Sequence, residues 1–171
     1  MKKLFALVTA ASVSLVMAGT VQAADVSVAI GQSGDSTMVY RLGAQWDWSS
    51  SWLQSDLGRL TGYWDLGYTY WDGDKTASNH SLSFAPVFVY EFSGQTVKPY
   101  IEAGIGVAAF SSTELEDNRL GSSFQFEDRF GVGLRFAGQE IGLRAIHYSN
   151  AGLKKPNDGV EAYTVHYRMN F

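Results

Sequence analysis

Cysteine is absent from the 171 residues, which excludes a disulfide scaffold and any thiolate nucleophile or thiolate metal site. Long apolar runs are almost absent as well. The only sizeable one free of charge covers residues 4–18, shorter than the ~20 residues a membrane-spanning helix needs. Basic residues number 13 against 17 acidic ones, so the chain lacks the positive field that would make nucleic acid a partner. Helical periodicity is scarce too. What the sequence does have is 46% hydrophobic and 14% aromatic residues with 18 glycines, a balance too rich in aromatics for disorder and of a length suited to one domain.

The first residues read as an address. Met1-Lys2-Lys3 is a positive start, residues 4–18 an apolar stretch, and Val21-Gln22-Ala23 a small-residue cleavage site. This layout predicts a secretory signal peptide over residues 1–23 and a mature, exported domain over 24–171.

Beyond it, strict alternation dominates. In Met38-Val39-Tyr40-Arg41-Leu42-Gly43-Ala44-Gln45-Trp46 the even positions are apolar, and from Leu60 they read Leu60, Gly62, Trp64, Leu66, Tyr68 and Tyr70. Leu82, Phe84, Pro86, Phe88 and Tyr90 alternate with mostly small residues, and Ile101, Ala103, Ile105 and Val107 with Tyr100, Glu102, Gly104 and Gly106. Phe124, Phe126, Phe130, Val132, Leu134 and Phe136 are interleaved with Gln125, Glu127, Arg129, Gly131, Gly133 and Arg135. Ile141, Leu143 and Ala145 follow, then Tyr163, Val165, Tyr167, Met169 and Phe171. With Val26, Val28 and Ile30 at the start, eight strands are predicted. Turn-rich connectors separate them at 32–36, 49–57, 72–79, 92–96, 111–122, 137–139 and 150–159, with a short helix conceivable at Trp52-Leu53-Gln54.

One face of these strands is a band of large apolar and aromatic side chains. The other combines glycines with unlike charges. A soluble sandwich would hide the first and wet the second, whereas a small closed barrel in a bilayer reverses the rule. Lipid takes the apolar side, closure satisfies every backbone group, and strands of about ten residues fit the ~9–11 needed to cross at a tilt. The fold expected is all-β, an eight-stranded antiparallel transmembrane β-barrel. Arg41, Glu102, Glu127, Arg129, Arg135 and Arg144 would form a charged network inside it, joined by His166 on the same parity. Trp46, Trp64, Tyr68, Tyr70, Tyr163 and Tyr167 suit interfacial belts. His80 belongs at a solvated strand start. Two residues sit badly: Pro86, mid-strand, calls for a bulge or a shortened strand, and Asp128, with outward parity, belongs near a rim.

The last two strands carry a polar intrusion on the lipid face. The outward parity of Ile141, Leu143 and Ala145 continues to His147 and Ser149, and that of Tyr163 and Val165 runs back to Glu161. A connector over 150–159 makes the two strands hairpin neighbours, so the three side chains converge. A serine hydroxyl needs a base to take its proton; histidine can do so, and a carboxylate fixes the imidazole tautomer. The bland alternative is a set of wetted rim residues. If the N-terminus is periplasmic, His147 and Ser149 lie toward the external leaflet.

The segment Ala145-Ile146-His147-Tyr148-Ser149-Asn150-Ala151-Gly152, followed by Lys154-Lys155-Pro156-Asn157-Asp158-Gly159 and Glu161, resembles the PagL family of outer-membrane lipid A 3-O-deacylases. The resemblance covers the whole chain and is most specific in its last ~25–30 residues, the rest being generic for small barrels. It implies a metal-free, cofactor-free serine esterase in the outer membrane, acting on lipid A or lipopolysaccharide. Ser149 would be the nucleophile, His147 the base and Glu161 its orienting carboxylate, with the Asn157 side chain and the Gly152 N–H as oxyanion donors. Lys154 and Lys155 would reach substrate phosphates or simply be solvated. Pairing with a second copy of the chain stays open. The rival readings are a non-enzymatic small barrel, an outer-membrane phospholipase, and a palmitoyltransferase.

Overall fold

Alternation at period 2 puts one set of side chains on each face of a strand, and burial follows it closely. The computed structural model describes residues 24–170; the leader expected over 1–23 and the terminal Phe171 lie outside the described residues. Ten strands follow in order: β1 Asp25–Ser33, β2 Met38–Asp47, β3 Gly58–Asp72, β4 Asn79–Phe92, β5 Lys98–Phe110, β6 Glu114–Leu115, β7 Asn118–Arg119, β8 Phe124–Phe136, β9 Gln139–Ser149 and β10 Val160–Met169. Eight of them close into an antiparallel barrel in the order β1-β10-β9-β8-β5-β4-β3-β2, and β6 and β7 form a separate two-stranded hairpin. Closure is made by β1 and β10, from Val26 opposite Met169 to Ser33 opposite Ala162.

The outer wall is apolar. Val28, Leu42, Leu82, Ile105, Phe130, Leu143 and Val165 are all exposed. The lumen is polar and filled. Near the end opposite the termini, Arg41 bonds Asp65 at 2.5 Å, Arg129 bonds Asp65 at 2.8 Å, and Arg129 bonds Glu127 at 2.5 Å. Midway, Arg144 bonds Glu102 at 2.6 Å and donates to the Tyr63 hydroxyl at 3.0 Å. At the other end Glu140 joins Arg135, His166 and Tyr100. Glycine makes this packing possible: a Cβ on Gly67 would lie 2.1 Å from the Arg41 guanidinium.

Four details depart from the sequence reading. Pro86 causes neither a bulge nor a short strand. The β4–β5 ladder skips Ala85 and Pro86 and resumes in the same register, Phe84 with Val107 and Val87 with Gly104, while Pro86 stays paired with Trp64 on β3. The Pro86 carbonyl faces Gly104 of β5, so the missing N–H falls on that same edge and the gap absorbs it. No helix forms at 52–54; Trp52 instead bridges to Leu60, and Trp48 packs edge-on against Trp52, Trp64 and Phe88. Strands β3, β4, β5 and β8 run to 15, 14, 13 and 13 residues, longer than the ~9–11 that cross a bilayer. And the connector between β5 and β8 contains the β6–β7 hairpin, whose Leu115, with Leu120 just after it, is buried with Trp71, Phe110 and Tyr148 in the mouth of the barrel.

Candidate active site on the outer wall

The antiparallel order collects at one end the turns β1–β2, β3–β4, β5–β8 and β9–β10, away from the termini. The row of residues just below that end is polar where the rest of the wall is not. Register places Asp128 of β8 opposite His147 of β9, and His147 opposite Glu161 of β10. All three point outward, as parity requires. The His147 and Glu161 side chains are 43% and 44% exposed.

His147 Nδ1 lies 2.9 Å from Glu161 Oε1. A carboxylate oxygen accepts, so this bond favours the tautomer of the neutral ring in which Nδ1 carries the proton and Nε2 keeps its lone pair. Ser149, the last residue of β9, shares the outward face. Two residues on, it is ~7 Å along the strand from His147. Among the described residues no hydrogen bond joins its hydroxyl to the imidazole, and contacts of this kind commonly tighten only when substrate is bound. Between them Tyr148 points into the lumen, donating to Glu127 at 2.9 Å and accepting from Arg41 at 3.4 Å. That inward anchor, packed against Trp71 and Phe110, holds the strand so that its neighbours face out.

The segment after Ser149 is built around Asn150, which is fully buried. Its Nδ2 donates to the carbonyls of Leu120 at 2.8 Å and Lys154 at 2.7 Å, and its Oδ1 accepts from the Lys154 N–H at 3.2 Å. Its own N–H donates to Asn157 Oδ1 at 2.8 Å. This last bond uses the acceptor half of the Asn157 carboxamide and leaves the Nδ2 donors to face elsewhere. Gly152 sits at the turn with φ +78°, and nothing lies within 4 Å of a Cβ placed on it. The side chains of Lys154 and Lys155 are exposed, while the Lys154 backbone is part of the Asn150 clamp. The Lys155–Pro156 peptide is cis. From the other side β7 grips the segment: Asp158 N–H donates to the Arg119 carbonyl at 3.2 Å, and Arg119 N–H donates to Asp158 Oδ2 at 2.9 Å.

All five residues expected at the centre therefore lie on β9, β10 or the loop joining them. Sequence reasoning missed Asn150, whose role is a set of bonds to distant carbonyls, and it recorded Asp128 as an anomaly without joining it to the site. Cross-strand register was the signal that joins them. Below the polar row a groove runs over the wall, with Ile105, Phe130, Ala145 and Tyr163 beside Asp128, His147 and Glu161. Among the described residues no three His, Asp or Glu side chains gather closely enough to hold a metal ion.

A polar row cut into a lipid-facing wall, with an apolar groove beneath it, is placed where a ligand delivered by the bilayer meets the imidazole–carboxylate pair. The class this defines is a lipid-modifying β-barrel enzyme of the outer membrane. The model of the lipid A 3-O-deacylase (PagL) family matches residues 38–170, and the chain belongs to that family. It is 63% identical over 171 residues to lipid A deacylase PagL of Pseudomonas aeruginosa, covering 99% of each chain. The PagL of Bordetella bronchiseptica is 42% identical over 118 residues, covering 67% of this chain and 65% of that one. Among solved structures, the crystal structure of the outer membrane enzyme PagL is 64% identical and superposes with a TM-score of 0.84, covering 86% of this chain and 99% of that one. The protein is a lipid A deacylase of the outer membrane.

Proposed function

We propose that the protein hydrolyses the ester holding the 3-hydroxyacyl chain at the 3 position of lipid A in the external leaflet, by a Ser149-His147-Glu161 triad. The observation that carries the reading is the 2.9 Å bond from His147 Nδ1 to Glu161 on the lipid-facing wall. It presets the tautomer a general base requires, with Ser149 next along the same face. Lipid A diffuses laterally, and its acyl chain lies down the groove past Ala145, between Phe130 and Tyr163. Nε2 takes the Ser149 proton as Oγ attacks the ester carbonyl. The developing oxyanion is met by Asn157 Nδ2 and the Gly152 N–H, donors fixed before the reaction begins. His147 then returns its proton to the departing sugar oxygen, and the acyl group stays on Ser149. Water, deprotonated by the same nitrogen, attacks the acyl-enzyme and releases the free hydroxy fatty acid. Asp128, across the strand from His147, supplies an acceptor for a hydroxyl or amide donor of the substrate.

The test is mass spectrometry of lipid A from cells carrying the wild-type or the Ser149→Ala protein. Wild-type cells should lose one hydroxyacyl chain and release the free 3-hydroxy fatty acid, and the variant should do neither. Equal loss from the variant would end the serine mechanism, a gain of acyl mass would point to transfer, and loss of a different chain would remove the 3-position assignment.

A further inference from the structure

Gly159 ends the loop before β10. Register pairs Val160 with Tyr148, so one step further brings Gly159 level with Ser149. Its φ is +72°, in the left-handed region. A Cβ placed on it would stand 3.0 Å from His147 Cε1, 3.6 Å from His147 Nε2 and 3.2 Å from the Tyr148 carbonyl. Glu161 holds one edge of the imidazole through Nδ1. Gly159 meets the ring at Cε1, the carbon between Nδ1 and Nε2, with Nε2 the next ring atom away. The Tyr148 carbonyl is sheet backbone and does not yield, so a methyl group here must push the ring by a few tenths of an ångström and narrow the space beside Nε2. That is the space through which the proton passes between Ser149, the imidazole and the sugar oxygen. Gly138, in the turn between β8 and β9, offers a matched contrast: its φ is +73°, yet nothing lies within 4 Å of an added Cβ.

We propose that Gly159 is a positioning residue, whose missing side chain sets the imidazole of His147 and keeps open the space opposite Ser149. The inference rests on the triad reading above. It concerns the Cε1 side of the ring, whose position the single bond from Nδ1 to Glu161 does not fix by itself.

The experiment compares Gly159→Ala, Gly159→Asn and Gly138→Ala in the full-length barrel, with kcat and KM measured per folded molecule on purified lipid A. Gly138→Ala carries the same backbone penalty without a neighbour and should turn over as wild type. Gly159→Ala should lose on the order of tenfold in kcat, because a ring shift of a few tenths of an ångström is smaller than the ~1 Å misplacement that costs about 10²-fold, with KM little changed. Labelling of Ser149 by an alkyl fluorophosphonate should slow in parallel. Asparagine tolerates the left-handed backbone but restores the Cβ, so Gly159→Asn should stay as impaired as the alanine variant. Turnover of either Gly159 variant at the Gly138→Ala rate would overturn the inference. So would failure of both Gly159 variants to fold where Gly138→Ala folds, since the glycine would then serve the fold alone. An active Ser149→Ala protein would instead overturn the triad reading, so the two failures are separable.

Discussion

The carboxamide of Asn157 is oriented by its neighbour. Because the Asn150 N–H occupies Oδ1, the Asn157 amide cannot flip without losing that bond, and its Nδ2 stays a donor. If it serves the oxyanion, Asn157→Ala should lower kcat by ~10²–10³ while leaving measurable activity, and steady-state kinetics on lipid A would check this. Asn157→Asp should be no better, since it exchanges donors for a charge of the wrong sign. A wild-type rate in both would return Asn157 to simple turn chemistry. His147, Ser149 and Glu161 could be read from parity alone, because a strand has only two faces and three polar groups stood on the wrong one. Asn150 and Gly159 could not be read that way: one acts through bonds to Leu120 and Lys154, the other through a gap that a sequence does not print.

The β6–β7 hairpin is the element that sequence periodicity could not reveal. Two strands of two residues carry too little alternation to register, and the burial of Leu115 and Leu120 against Trp71, Phe110 and Tyr148 arises only once the barrel has closed. Its consequence is local. Leu120 is fully buried and its carbonyl accepts from Asn150, and Arg119 and Asp158 exchange hydrogen bonds. Leu120→Ala should remove about 2–5 kcal/mol of packing at one end of the barrel. Hydrogen exchange should then speed up over residues 150–158 and activity should fall, with the strand amides below unaffected. Uniform acceleration over all the strands would show that the hairpin supports the whole barrel and not the loop. The eight long strands, by contrast, were legible because alternation persisted through each of them. Strands β3, β4, β5 and β8 exceed the expected length because they continue beyond the apolar band, and Pro86 needs neither the bulge nor the shortened strand expected of it because the sequence does not say which neighbouring strand faces its nitrogen.

Closure inverts the usual arrangement of a soluble domain, with salt bridges at the centre and aromatic and aliphatic groups outside. The Arg144–Glu102 pair, 2.6 Å apart and almost fully buried beside the Tyr63 hydroxyl, links β9 to β5 and β3 across the lumen. Arg144→Ala would leave Glu102 buried without its partner, a loss of ~3–5 kcal/mol. Removing both charges with Arg144→Met and Glu102→Gln should cost less, and denaturant midpoints of the refolded barrels in bilayers would show the difference. Equal losses would mean the pair acts through packing only.

The outer placement of the site remains the claim on which function depends, and a long-chain alkyl fluorophosphonate tests it most directly when presented in bilayers containing the folded protein. The label should attach to Ser149, as found by peptide mass spectrometry, and its attachment should be suppressed by His147→Ala and by Glu161→Ala. Labelling that falls on another residue, or that proceeds at Ser149 unchanged without His147, would contradict a serine activated on the lipid-facing wall.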